Sequence, residues 1–268
     1  MLQRRESTAV TIGFVQAEEF VYPRYEVPLM EAYGGIFESA FIVLHPFIQV
    51  PEKFGWSALA QDPGTTQRCP SDEQIVAHGM KCPWGDVEKR TGISSHARMN
   101  QALLTSIGSL GDDFADPTGR DKIENFVKAH PVWMPAEGRF EPLLQQDFLD
   151  AFAAAGQEEL VFVPEFPHSD PVVRLPISEL KPAVGFKTPS LPFPSRGTLF
   201  PPDQSFLFTV EWDSFFTLFY GPRKFVAETA RRRNLEGFFA TPNTQHAWFN
   251  YSFGCAIVTV SPEDCPAA

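Results

Sequence analysis

The chain has 268 residues, 43% of them hydrophobic and 21% charged, which supports a buried core and excludes a disordered polyelectrolyte. Its 22 Lys and Arg against 33 Asp and Glu leave a formal charge of −11, a balance that repels phosphate backbones and anionic lipid and favours a basic partner. With 26 Phe against 5 Tyr and 5 Trp, most aromatic area comes without a polar handle.

The opening segment carries Arg4 and Arg5 but then Thr, Gly and acidic residues instead of an unbroken apolar run, so no secretory leader is visible. The longest apolar runs, 40–44 and 215–220, are far shorter than the ~20 residues a membrane helix needs. Without a leader, Cys69, Cys82, Cys255 and Cys265 are expected as free thiols in a reducing cytoplasm.

In chain order, residues 1–35 show no period of 2 or 3.6 and predict an irregular N-terminal arm. Residues 36–268 read as one domain. A strand rich in Phe, Ile and Val is expected over 36–50, interrupted at His45-Pro46. Ser71 and Gln74 have capping-box spacing, and Gly79 supplies a stop, so a short helix lies between them. A second helix is expected at 84–90, and a third follows Ser94 and Ser95 with Met99, Leu103, Ile107 and Leu110 on one face. Further helices are expected at 120–129 and 143–155, and a strand at 159–166.

Residues 167–202 contain nine prolines, which predicts a surface connector with neither a long helix nor a central strand. Strands at 205–212 and 215–220 are joined at Asp213-Ser214, with Phe215, Leu218 and Phe219 in the core and Trp212 anchoring the sheet edge. Pro222 opens a helix to residue 234, and strands follow at 236–240 and 247–253. The fold expected is α+β: a mostly antiparallel sheet with helices packed on one side.

Three segments, Val43-Leu44-His45-Pro46-Phe47, Thr91-Gly92-Ile93 with its following helix, and Trp212-Asp213-Ser214-Phe215-Phe216-Thr217 with Glu236-Gly237-Phe238-Phe239, together resemble the domain-of-unknown-function 2711 family. The resemblance covers most of residues 36–250. It implies a bacterial cytoplasmic protein and transfers no reaction.

The candidate site residues come from the residues themselves. Glu211, Asp213 and Glu236 could supply paired carboxylates, and His45 ends an apolar strand where an imidazole is either buried or presented to a cleft. A Ser214–His–Asp213 triad lacks the Gly-x-Ser-x-Gly elbow. Cys69, His78 and Cys82 lack a fourth ligand, so neither a metal nor a cofactor is expected. Glu165, His168 and Asp170 read as solvated loop, and Arg231-Arg232-Arg233 as the basic close of a helix. Residues 86–110 have a helix-turn-helix outline but only His96 and Arg98 as base near its second helix, so nucleic acid is not expected.

Two function classes follow. The preferred one is an acidic cytoplasmic binding protein, such as an immunity-type inhibitor of a basic toxin or nuclease, using Glu211, Trp212, Asp213 and Trp248. The alternative is a hydrolase or metal-dependent enzyme with a cleft around His45, Glu211, Asp213 and Glu236. The two part on whether those four side chains converge.

Overall fold

Pro46 has no backbone N–H to give a ladder, so the expected first strand divides into β1 (Ser39–Leu44) and β2 (Phe47–Gln49), which enter different sheets. The computed structural model describes residues 19–56, 70–166, 171–182 and 191–248. Within them the central helices are α1 (Asp72–His78), α2 (Trp84–Thr91), α3 (His96–Ser106), α4 (Pro117–Ala129) and α5 (Gln145–Ala154). Each start has a chemical cause. The Ser71 hydroxyl and Gln74 side chain form the reciprocal capping box of α1, Ser95 caps α3, and Asp116 with Pro117 starts α4. Gly92 takes the left-handed conformation that ends α2.

Strands β3 (Met80–Cys82) and β4 (Val132–Trp133) flank β2 in a small antiparallel sheet. The large sheet adds β5 (Glu159–Pro164), β6 (Val173–Pro176), β9 (Gly197–Phe200), β10 (Leu207–Val210), β11 (Phe216–Gly221) and β12 (Gly237–Phe239). Its order is β12-β1-β11-β10-β9-β5-β6, and every pairing is antiparallel. β7 (Leu180–Lys181) and β8 (Leu191–Pro192) form a short parallel pair apart from it. The expected α+β class with a mostly antiparallel sheet is the one found.

The proline-rich stretch does hold a central strand. β9 lies between β10 and β5, in the proline-free window between Pro194 and Pro201, so its N–H groups are available on both sides. It begins at Gly197, with φ of 127°, where a Cβ would stand 2.2 Å from the Val163 carbonyl oxygen. Only glycine fits that approach.

Alternation along the strands gives the sheet two apolar faces. One carries Ile42, Leu44, Leu207, Leu218 and Phe238 and shares a core with α2, α3, α4 and the arm residues Phe20 and Leu29. The other carries Phe41, Val43, Phe208, Phe219 and Phe239, covered by α5 and by α6 (Arg223–Arg232). Helices therefore lie on both sides of the sheet, with α2 to α4 grouped on the first. Phe215, Leu218 and Phe219 are buried as expected, and the Phe208 and Phe219 rings stack at 4.2 Å. Cys82 is a free, buried thiol; the other three cysteines lie outside the described residues, as do His168, Asp170 and residues 249–253 of the last expected strand. Ala247 and Trp248 stand in a turn.

No helix among the described residues is long and apolar enough to cross a membrane.

Candidate functional site

The ends of β1, β10, β11 and β12 meet at one end of the large sheet, because β11 runs antiparallel to both β1 and β10 while β12 runs antiparallel to β1. All four sequence candidates, His45, Glu211, Asp213 and Glu236, stand at that end. Their side chains do not share one cleft.

His45 continues the Phe41, Val43 face and is fully buried. Its Nδ1 is 2.9 Å from the Ala136 carbonyl oxygen and its Nε2 is 2.9 Å from the Thr217 hydroxyl. Burial pulls its pKa down to about 4, so the ring is neutral at physiological pH. Both nitrogens are occupied by the fold.

Glu236 lies on the opposite face and reaches the first turn of α2. Its Oε2 accepts from the Trp84 backbone N–H at 2.6 Å and its Oε1 from that of Gly85 at 2.9 Å. A carboxylate there satisfies two orphan donors and complements the helix dipole.

Glu211 and Asp213 do come together with other groups, on the face of β10 that carries Leu207 and Thr209. Tyr25, on the N-terminal arm, donates to Glu211 Oε1 at 2.5 Å and stacks its ring on His246 at 4.2 Å. The arm is pinned for this by the buried Phe20 and by the Leu29 N–H bonded to the Thr244 carbonyl. The Tyr22 hydroxyl is 2.9 Å from His246 Nδ1, and His246 Nε2 is 3.6 Å from Glu211 Oε2. That oxygen is buried without a hydrogen-bond partner among the described residues.

The electrostatics follow from burial and like charge. Desolvation, with Glu165 and Asp213 nearby, raises Glu211 to about 7 although Tyr25 opposes the shift. Burial lowers His246 to about 4. Glu137 lies within bonding reach of Asp213 and is raised by burial first and by the Asp213 charge second. Arg196 is the cation of the group: its Nη1 is 3.0 Å from Glu165, its Nε donates to the Gly138 carbonyl at 2.5 Å, and its guanidinium lies 4.4 Å over the Trp212 ring.

Gly138 lets these loops approach. Its φ is 61°, its N–H bonds the Ser214 carbonyl at 2.8 Å, and a Cβ would meet the Asp213 nitrogen at 3.2 Å. The Ser214 hydroxyl turns back to the Glu211 and Phe216 carbonyls, as a turn residue does.

Trp212 is not the expected edge anchor. It is 55% exposed, because the turn carries it beyond the last ladder bond of β10, and Tyr25 and Phe166 are 50% and 61% exposed. Trp248 packs instead against Phe216 and Phe238. Sequence reading passed over Tyr22, Tyr25, Glu137 and Arg196, which lie in segments without periodicity; the tyrosines amid the charge of the arm were the one visible signal.

Among the described residues no three His, Cys, Asp or Glu side chains are grouped to hold a metal ion. His78 stacks near Phe54 and Trp56, away from any such role. His96 and Arg98 are engaged internally, at 2.6 Å from Glu88 and 2.7 Å from Asp116.

Comparison with known proteins agrees on one relationship. The family described as "Protein of unknown function (DUF2711)" matches residues 25–250. The "Uncharacterized protein YwbB" of Bacillus subtilis (strain 168) is 22% identical over 231 residues, covering 86% of this chain and 99% of that protein. No solved structure matches. The family match runs from Tyr25 through β12 and beyond Trp248, and the chain therefore belongs to the DUF2711 family.

Proposed function

We propose that the protein is a binding protein of the bacterial cytoplasm, whose acidic, aromatic-edged surface at the sheet end receives a basic protein partner, as an immunity-type inhibitor receives a basic toxin or nuclease. The observation that carries this reading is the gathering of Glu137, Glu165, Glu211 and Asp213 near the Arg196 guanidinium, beside the exposed rings of Trp212 and Tyr25. Arg196 bonds Glu165 and Tyr25 bonds Glu211, which leaves Asp213 and Glu137 as the carboxylates to meet an added cation. Exposed Trp and Tyr supply rigid apolar area beside that charge, the composition of an interface centre. A net charge of −11 extends the same preference over the whole chain and disfavours nucleic acid.

The test is association with the product of the neighbouring gene, measured at low and high salt. Exposed charges more than ~8 Å apart are screened at physiological ionic strength, so association should slow as salt rises. Asp213→Lys with Glu137→Lys should reduce the on-rate at least tenfold, while His45 variants that fold should bind as the wild type does. Binding indifferent to salt and to charge reversal would overturn the reading.

The enzyme alternative draws on a different observation, the Tyr22–His246–Glu211 chain, in which a neutral ring accepting from Tyr22 at Nδ1 carries its proton on Nε2, toward Glu211. A hydrolytic activity abolished by both His246→Gln and Tyr22→Phe, with the fold intact, would establish it over binding.

A further inference from the structure

A cavity outside the acidic surface opens where β1, β3, the start of α5 and the α6–β12 connection meet. It encloses about 250 Å³. Its apolar walls are Leu44, Pro46, Pro83 and Leu144, and its polar groups are Lys81, Asn234 and Glu236. Sites that take drug-sized ligands run from about 300 to 1,000 Å³, so this one suits a smaller molecule.

The two charged groups keep bonding capacity. Each Glu236 oxygen accepts one backbone N–H from α2. A carboxylate oxygen has two lone-pair sites, so one on each remains. Lys81 Nζ gives one N–H to Asp147 Oδ2 at 2.5 Å, leaving two. A carboxylate and an ammonium, both unsaturated, therefore line one small cavity with apolar walls. A singly charged ligand would bond one of them and bury the remaining bonding sites of the other unfilled. A molecule carrying both charges, with an apolar remainder, serves all three surfaces.

We propose that this cleft binds a free amino acid with an apolar side chain, its ammonium on Glu236, its carboxylate on Lys81 and its side chain among Leu44, Leu144 and the two prolines.

The experiment uses the full chain, calorimetry and thermal melts. L-leucine, L-valine and L-methionine are the probes, with N-acetyl-L-leucine and L-leucinamide as analogues that each lack one charge. At least one amino acid should bind and raise Tm in a concentration-dependent way. Each analogue should bind about tenfold more weakly than L-leucine or worse, since each loses a charge-assisted contact. Lys81→Met keeps the apolar stem and should weaken the amino acids as the loss of the carboxylate does; should it fail to fold, the analogue series on the wild type still decides. No Tm change with millimolar amino acid, or analogues that bind as tightly as L-leucine, would overturn the proposal.

Discussion

His45 and Glu211 stand at the same end of the large sheet and on its opposite faces. Val43, facing Thr217 across the β1–β11 ladder, sets the side on which His45 meets the Thr217 hydroxyl. Leu207 and Thr209 set the other side for Glu211. The sheet itself separates an imidazole and a carboxylate that sequence reading had placed around one cleft.

His45 is expected to matter to the fold. His45→Leu leaves the Ala136 carbonyl and the Thr217 hydroxyl without their partner, at a cost of about 1–3 kcal/mol. Denaturant titration at pH 7.5 measures it. An unchanged midpoint would show that the two bonds do not stabilise the native state.

Burial lowers His45 from its ordinary 6.5 to about 4, so the stability tied to its neutral form is fully present above 6.5 and is lost as pH falls through 4. Glu141 behaves in the opposite sense. It is fully buried, accepts from the Ala136 N–H at 2.7 Å, and is raised by desolvation from 4.5 to about 7. Its folded form prefers the proton, so its contribution is fully present below 4.5 and is lost as pH rises through 7. Glu141→Gln should therefore gain on the wild type by as much as ~3 kcal/mol between pH 4.5 and pH 8, followed by denaturation at each pH. A pH-independent difference would show that Glu141 is already ionised in the folded protein.

Phe219 has no exposed surface and packs on Phe208, Phe206 and Phe225. Phe219→Ala should cost about 3–5 kcal/mol, read as a lowered Tm and denaturation midpoint. A melt that stays in place would contradict the packing of this face.

Glu236 ties α2 to the start of β12. Glu236→Ala should cost about 0.5–2 kcal/mol by exposing the Trp84 and Gly85 N–H groups, and amide exchange should accelerate first at those two positions. Exchange that speeds up elsewhere and not there would refute the capping role.

Much of the fold was legible in the sequence because local chemistry settles it. The Ser71 capping box, the Gly92 stop, the Pro46 break and the Asp213-Ser214 turn each act within a few residues of the chain. β9 was illegible, since its place at the centre of the sheet depends on β5 and β10 arriving on either side and on a glycine that lets the Val163 carbonyl approach. The acidic site was half legible: Glu211 and Asp213 are neighbours in sequence, whereas Tyr25, Glu137, Arg196 and His246 reach them from 15 to 188 positions away only by tertiary contact. Side-chain alternation gives each residue one of two faces, but which faces of different strands coincide is decided by ladder register, a long-range property. By itself, then, the sequence determined the central helices, the longer strands, the charge and the acid-rich turn; the tertiary structure alone decided that β9 would enter the sheet, that His45 would be sealed in the core and that Glu211 would pair with a distant tyrosine and histidine.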